Sequence, residues 1–379
     1  MNIVYCLDSI CILGGIERTT ITKANALSNI NDNHVYIIVA EHRGESFMSI
    51  NPKVNIINLD IQYYRDYGKS RLESYKILIE ERYKHKKRLS KVLNEINPDI
   101  VISTGKSERY FINRLKIKSK PKFIREFHLT KNHKNICSTS LFNKYWNKAS
   151  ELYESIFHLN KFDKLIILTE EEKKYWKNNT KLCVIPNPID INHTYKSNQQ
   201  NKIVVAAGRL SEEKNFKSLI SVWKEVIKIH PEWELRIWGD GSLRNELETQ
   251  IKNYNLSNHV ILKGHTHNIL QEISKASFFV MTSISESFGL VLVEAMSCGL
   301  PVISYACPTG PIEIISNNID GFLVPVNNEK ELANKIILLI ENKNKRIEMS
   351  NHALLKSTYF SVENIIDKYM KLFIDLSKS

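Results

Sequence analysis

Short, continuous apolar runs alternate with longer amphipathic stretches along nearly the whole chain. Continuous runs are typical of strands that are covered on both faces, whereas strands with one wet face alternate apolar and polar residues. The amphipathic stretches, such as the charged segment 71–96 that ends before Pro98, are typical of helices. The pattern therefore predicts an α/β fold with parallel sheets. The predicted strands span residues 3–7, 35–40, 54–59, 100–103, 122–125, 165–168, 202–207, 234–238, 260–263, 278–281, 301–304 and 322–324.

A polar, proline-containing segment separates these strands into two series. Pro186 and Pro188 lie close together, and the polar residues 197–201 follow them. Segments of this kind are typical of linkers and hinges, and 379 residues exceed one ordinary core. We therefore predict two Rossmann-like, doubly wound domains at 1–185 and 186–361 that face each other across a cleft. A C-terminal helix at 362–379 is expected to pack back on the first domain, and ligands are expected at the carboxyl ends of the strands.

Composition narrows the classes of protein that fit. Apolar residues make up 42% of the chain and charged residues 25%, as in globular proteins, and no apolar run is long enough to span a bilayer. The first residues read as a strand without a basic-then-apolar leader, so a cytoplasmic location is expected. The six cysteines form no CxxC pair and the chain contains no DxD sequence, so neither structural zinc nor a bound divalent metal is expected.

The net charge of +12 belongs almost entirely to the first half of the chain. Residues 1–195 carry 32 Lys+Arg and 21 Asp+Glu, hence 32 − 21 = +11, and residues 196–379 carry 21 and 20, hence +1. The surplus clusters at 82–88, 114–122 and 131–148, where aromatic residues are interleaved. Such clusters fit an anionic membrane surface or a nucleic acid, and they also fit a solvated helix face. We favour contact with the cytoplasmic face of a membrane and expect no nucleic-acid partner.

Two loops carry residues suited to binding a diphosphate. Gly14 and Gly15 follow the first strand and open a helix, where a close backbone approach and unpaired N–H groups favour an anion. Arg209 and Lys214 follow the first strand of the second series, and their charges offset those of a diphosphate leaving group. A plain turn and an exposed loop with ordinary surface cations remain open alternatives at this point.

Two carboxylates bracket a third loop. Glu286 and Glu294 lie eight residues apart at a loop-to-helix start, so they fall near one helix face but are separated along its axis. This spacing fits two hydroxyl-bearing parts of one ligand better than it fits a paired acid and base. Helix capping by Glu286 and a buried ion pair at Glu294 are the structural alternatives.

Taken together and in this order, the loops resemble those of the retaining glycosyltransferases of family 4, which have the GT-B fold. The resemblance covers nearly the whole chain. It rests on GGxER at 14–18, GRLxxEKN at 208–215, GDG at 239–241, E-x7-E at 286–294 and Cys-Gly-Leu-Pro-Val at 298–302. The segment 307–314, with two prolines in place of paired glycines, is similar to the subset that adds galactose, N-acetylgalactosamine or N-acetylglucosamine in bacterial surface-glycan assembly. A rigid turn without ligand contact remains open for that segment.

The resemblance implies a role for each matching residue. Arg209, Lys214, Glu286 and His128 are implied as catalytic residues, with His128 against the transferred sugar. Glu294 is implied to accept hydrogen bonds from the ribose of the donor. The backbone around the donor is implied to come from Gly14, Gly15, Phe288, Gly289 and Leu290.

The resulting hypothesis is a metal-independent, retaining transfer of a hexose or N-acetylhexosamine. The donor is expected to be a nucleotide-diphosphate sugar, and a UDP-sugar in particular, and the acceptor a lipid-linked glycan or an oligosaccharide. Cationic side chains and helix N-termini would replace a metal at the diphosphate, so no cofactor is expected. The alternatives are a UDP-sugar 2-epimerase and a non-catalytic, membrane-associated subunit that binds sugar nucleotides.

Overall fold

Two parallel sheets form the framework of the protein. The computed structural model describes residues 1–11, 14–30, 32–41, 44, 46–66, 68–130, 158–176, 179–191 and 194–378. The first sheet has the strand order β3-β2-β1-β4-β5-β6-β7, and every adjacent pair is parallel. Its strands are β1 (Asn2–Leu7), β2 (His34–Val39), β3 (Val54–Asn58), β4 (Ile100–Ser103), β5 (Lys122–Glu126), β6 (Lys164–Ile167) and β7 (Leu182–Val184).

The second sheet repeats the same arrangement. Its order is β10-β9-β8-β11-β12-β13, again with parallel pairs throughout. Its strands are β8 (Ile203–Ala207), β9 (Glu234–Trp238), β10 (Val260–Gly264), β11 (Phe278–Met281), β12 (Val302–Tyr305) and β13 (Gly321–Val324). In both sheets the first strand in the chain lies in the interior and the order reverses beside it, which creates a switch point at the carboxyl ends.

Helices connect the strands and cover the sheets. Those of the described residues are α1 (Gly15–Leu27), α2 (Arg71–Ile96), α3 (Phe216–Val226), α4 (Arg244–Asn253), α5 (Ile269–Ile273), α6 (Leu290–Ser297), α7 (Gly310–Ile314), α8 (Glu329–Glu341), α9 (Lys343–Thr358) and α10 (Val362–Lys378). The charged helix α2 has clear end signals. Ser70 and Glu73 form a reciprocal capping box at its start, and Asn97 ends it in the left-handed conformation before Pro98.

The structure confirms the predicted α/β fold with two Rossmann-like domains. All the predicted strands are present, and α2 has the predicted bounds. The strand β7 was not predicted, because its three half-buried residues give too short an apolar run to stand out. Helix α1 begins at Gly15 with Gly14 as its N-cap, as the glycine pair predicted.

The C-terminal helix α10 belongs to the core of the first sheet. Its apolar side chains, among them Ile365 and Phe373, pack in one cluster with residues of β1, β2, β4 and α1. The chain reaches this position through a crossing at Ile189, whose N–H donates to the Phe360 carbonyl and whose carbonyl accepts from the Val362 N–H. Two segments therefore connect the domains side by side. The domain boundary at residues 185 and 186 stays a prediction.

The basic clusters of the first half differ in their surroundings. In the cluster 82–88, His85 is buried, and Arg88 donates to the Leu59 carbonyl, so part of the cluster is structural. Lys86 and Lys87 are exposed. The cluster 131–148 lies outside the described residues. Among the described residues, no helix combines the length and the apolar composition that a membrane span needs.

Candidate active site

The two domains meet where the carboxyl ends of their strands face each other. Gly15, the first residue of α1, lies opposite Leu290, the first residue of α6. A methyl group added to Gly15 would stand 3.6 Å from Cδ1 of Leu290. Gly14 gives the α1 N-terminus no side-chain cap, but the Glu17 carboxylate lies against Gly14 and bonds the Glu17 N–H. An anion would therefore bind the N–H groups of Gly15 and Ile16. Two helix N-termini from different domains thus open on the same crevice.

The predicted diphosphate loop of the second domain carries one paired and one unpaired cation. Lys214 forms an ion pair with Glu286, and its side chain is 22% exposed. Arg209 is exposed, and its side chain makes no hydrogen bond or ion pair with another described residue. Arg209 is therefore able to bind an incoming anion without first breaking an existing contact.

Glu286 is held from three directions. Besides Lys214, its carboxylate accepts a hydrogen bond from the Ser283 hydroxyl at 2.7 Å, and its backbone carbonyl accepts from the Thr309 hydroxyl. Thr309 has a φ of 78°, a value that non-glycine residues rarely adopt. Through the hydrogen bond of Thr309, the segment 307–314 contacts the loop that carries Glu286 and therefore borders the candidate site.

A close backbone approach secures the same loop at the next turn. A methyl group on Gly310 would stand 1.9 Å from the Phe288 carbonyl oxygen, so only glycine fits there. Gly289, at φ 93°, is the N-cap residue of α6, and the Phe288 side chain is buried. The backbone of Phe288, Gly289 and Leu290 is therefore rigidly placed at the crevice.

Glu294 lies one turn further along α6 and is already paired. Its carboxylate accepts from the guanidinium of Arg18 on α1, and this ion pair spans the two domains. The coulombic attraction of Glu294 raises the pKa of Arg18, although burial opposes it. The sequence did not suggest Arg18 as a partner of Glu294, since the two lie 276 residues apart.

His128 lies just beyond β5, on the first-domain wall of the crevice. Two residues later, the Thr130 N–H donates to the Ser287 hydroxyl at 3.0 Å, which links this strand end to the loop between Glu286 and Phe288. The side chain of His128 is only 5% exposed, and burial lowers its pKa. A neutral imidazole is therefore expected at neutral pH.

A buried polar cluster supports His128, and sequence reasoning missed it. Nε2 of His128 lies 3.2 Å from Oε2 of Glu126, which also accepts from Nζ of Lys23 at 2.5 Å. The other carboxylate oxygen accepts from the Tyr369 hydroxyl at 2.7 Å. These residues come from β5, α1 and α10, so no local sequence signal joins them.

Among the described residues, no group of three or more His, Cys, Asp or Glu side chains is placed to hold a metal ion. The positive charge at the crevice comes from Lys214, Arg18 and the two helix N-termini, and Arg209 follows β8 at the carboxyl end of the second sheet. Their arrangement suits a ligand with a negatively charged centre and hydroxyl groups on both sides of it.

Two family models match the chain. "Glycosyltransferase Family 4" covers residues 13–193 and "Glycosyl transferases group 1" covers residues 190–355. An α-1,4-N-acetyl-D-galactosaminyltransferase of Campylobacter jejuni, which acts on a GalNAc-containing diNAcBac-PP-undecaprenol, is 26% identical over 97% of this chain and 96% of its own length. A variant of TarM from Staphylococcus aureus, solved with Fondaparinux, α-GlcNAc-glycerol and UDP, superposes with a TM-score of 0.79 at 18% identity over 98% of this chain and 99% of that one.

Other relatives match only in part. A poly(ribitol-phosphate) α-N-acetylglucosaminyltransferase of Staphylococcus aureus is 30% identical over 50% of this chain and 38% of its own length. The chain spans about half or less of the length of several such curated relatives, from 21% to 49%. The ranges matched by the two family models nevertheless overlap at residues 190–193, and together they cover residues 13–355. With the paired parallel sheets and the crevice between them, these matches place the chain in the family 4 glycosyltransferases with the GT-B fold.

Proposed function

We propose that the protein is a retaining glycosyltransferase of bacterial surface-glycan assembly. It transfers a hexose or an N-acetylhexosamine from a UDP-sugar to a lipid-linked glycan or an oligosaccharide, in a pathway such as O-antigen, capsule or lipooligosaccharide synthesis. The observation that carries the proposal is the contact of the two domains at the crevice, where Gly15 lies against Leu290 and Arg18 pairs with Glu294. The Lys214–Glu286 pair belongs to the second-domain loops of the same crevice. The printed names of the Campylobacter and Staphylococcus relatives support the substrate class.

The donor is expected to lie along the crevice with its diphosphate between the cations and the helix N-termini. Gly14 and Gly15 contribute backbone N–H groups, and Arg209 and Lys214 contribute charge-assisted hydrogen bonds. Glu294 accepts from the ribose hydroxyls, and Glu286 from the sugar hydroxyls. The backbone of Phe288, Gly289 and Leu290 closes around the sugar and the phosphate.

In the proposed reaction the bond between the anomeric carbon and the phosphate oxygen breaks as the acceptor oxygen bonds to the same face of that carbon. The acceptor proton passes to the leaving diphosphate, which Arg209 and Lys214 stabilise as its charge develops. Because these cations serve the leaving group, no divalent metal is needed. Closure of the two domains excludes water and limits hydrolysis of the donor.

The direct test is a transfer assay with radiolabelled UDP-sugars and a polyprenyl-diphosphate-sugar acceptor, with and without EDTA. We expect acceptor-dependent product with unchanged rate in EDTA, and NMR of that product is expected to show an α-linkage. Conversion of the UDP-sugar without any acceptor would identify an epimerase instead. UDP binding without turnover on any donor and acceptor pair would identify a non-catalytic subunit.

We further propose that the first domain docks on the cytoplasmic face of an anionic membrane. The first half of α2 exposes large apolar side chains at helical spacing, Leu72 at 85%, Tyr75 at 66%, Ile79 at 54% and Tyr83 at 71%. Several lysines, among them Lys86 and Lys87, lie further along the same helix. Apolar and aromatic side chains beside lysines suit the interface of an anionic bilayer, where a lipid-linked acceptor would be found.

A further inference from the structure

The cluster around Glu126 is sealed from solvent. The side chains of Lys23 and Glu126 are 0% and 1% exposed, and the Tyr369 hydroxyl lies within hydrogen-bond distance of both charged groups. Tyr5 completes the enclosure, with its ring 5.5 Å from Nζ of Lys23. Buried ion pairs of this kind contribute little net stability over an apolar core, so a specific reason for keeping the charges is expected.

The charge states within the cluster follow from its contacts. Burial alone would raise the pKa of Glu126, but the contacts with Lys23 and His128 lower it to about 2. Glu126 is therefore an ionised carboxylate that only accepts hydrogen bonds. Its Oε1 is occupied by Tyr369 and its Oε2 by Lys23 and His128. Hydrogen bonds therefore hold both oxygens of the carboxylate.

A fixed acceptor selects one tautomer of the imidazole. Because Oε2 of Glu126 accepts, Nε2 of His128 carries the proton, and in the neutral ring Nδ1 holds the lone pair. Nδ1 makes no hydrogen bond with another described residue. His128 therefore presents a hydrogen-bond acceptor rather than a second donor to a ligand in the crevice.

We propose that Glu126 is a positioning residue for His128, held by Lys23 and by Tyr369 of the C-terminal helix, and that it fixes the imidazole as an acceptor towards a hydroxyl of the transferred sugar. The role in transfer rests on the proposed function, whereas the tautomer does not. The proposal gives α10 a part in the active site, since the Tyr369 hydroxyl donates a hydrogen bond to the Glu126 carboxylate.

Three charged groups act on the protonation of His128. These are Glu126 and Arg125 from β5 and Lys23 from α1, and the two cations oppose protonation of the ring while Glu126 favours it. Glu126→Gln removes the fixed acceptor, and a side-chain amide offers a donor as readily as an acceptor. The ring then loses its tautomer preference. This variant also leaves Lys23 buried without a counter-ion, so a folding defect has to be separated from a positioning defect.

The double variant Glu126→Gln/Lys23→Met makes that separation, because it removes both buried charges. We expect its melting temperature to recover towards that of the wild type, while kcat stays about 10- to 100-fold lower and the Kd for UDP changes less than about threefold. Tyr369→Phe removes one hydrogen bond from the carboxylate and is expected to lower kcat by several-fold. Tyr63→Phe, which removes a phenol hydrogen bond to His85 in the same domain, is the matched control with unchanged kcat.

The tautomer itself is read by 15N NMR of the imidazole, assigned with His128→Asn. We expect the Nε2–H form in the wild type and a mixture of tautomers in Glu126→Gln/Lys23→Met. If the wild type shows the Nε2–H form but transfers sugar to no acceptor, only the proposed function is contradicted. An Nδ1–H form in the wild type, or kcat restored together with stability in the double variant, would overturn the positioning role.

Discussion

Arg18 of α1 and Glu294 of α6 form an ion pair that joins the two domains across the crevice. We propose that Glu294 accepts hydrogen bonds from the ribose hydroxyls of the donor, so we expect the nucleotide and Arg18 to compete for the same carboxylate. The side chain of Arg18 is 38% exposed, so water and salt screen the pair in part. We therefore expect donor binding to replace this contact.

Removal of the Arg18–Glu294 ion pair is expected to raise the affinity for the nucleotide. The pair is half-buried, because the Glu294 side chain is only 7% exposed, while the exposed side of Arg18 is screened by water. With a contribution of about 1 kcal/mol, Arg18→Ala is expected to tighten UDP binding about fivefold in calorimetric titration. Glu294→Gln, which keeps the shape but weakens the acceptor, is expected to weaken binding instead. If Arg18→Ala weakened UDP binding tenfold, Arg18 would have to be counted among the nucleotide ligands.

Membrane docking is expected to depend on the exposed face of α2. Tyr75→Ser/Ile79→Ser/Tyr83→Ser and Lys86→Glu/Lys87→Glu each remove one component, apolar area or positive charge. We expect both variants to sediment less with vesicles that contain anionic lipid, and added salt to mimic the second variant. Lys224→Glu/Lys228→Glu on the second domain is the charge-matched control. Equal sedimentation of all proteins would refute the docking surface.

Acid is expected to destabilise the first domain through His85. Burial lowers the pKa of His85 to about 4, whereas an unfolded histidine titrates near 6.5. Below pH 6.5 the unfolded chain therefore binds more protons than the folded one, and stability falls as the pH drops towards 4. The loss amounts to about 3 kcal/mol at full effect, because a tenfold difference in proton affinity between the two states corresponds to about 1.4 kcal/mol.

Unfolding in urea at pH 7.5 and pH 4.5 measures this loss. In His85→Gln, which cannot take up the proton, we expect the difference between the two pH values to shrink by most of that amount. His34, which lies exposed at the start of β2, offers the control His34→Gln. An unchanged pH dependence in His85→Gln would show that other groups govern acid unfolding.

The elements with a local signal were predictable from the sequence. Buried parallel strands give continuous apolar runs, and α2 carries both a capping box and a left-handed end before Pro98. The loops around Gly15, Lys214 and Glu286 were identified because glycines, cations and carboxylates follow strand ends, where ligands bind in this architecture. The short strand β7 was missed for lack of such a signal.

The contacts between distant segments were beyond sequence reasoning. Lys23 and Glu126 lie 103 residues apart, and Glu126 and Tyr369 lie 243 residues apart. In a single sequence, a buried lysine on α1 looks like any polar position of an amphipathic helix. Nothing but the fold brings it to a carboxylate at the end of β5.

In the proposed reaction, cations of the second domain stabilise the diphosphate that leaves the sugar. The measurement that tests it most directly is the turnover of Arg209→Ala and Lys214→Ala in acceptor-dependent transfer, beside Lys217→Ala as a control. Lys217 pairs with Glu212 and Glu246 at the surface of the same region and has no role in the proposed chemistry. We expect kcat to fall by about two to four orders of magnitude in the first two variants and to stay within about twofold in the third. Near-normal turnover in both Arg209→Ala and Lys214→Ala would contradict the account.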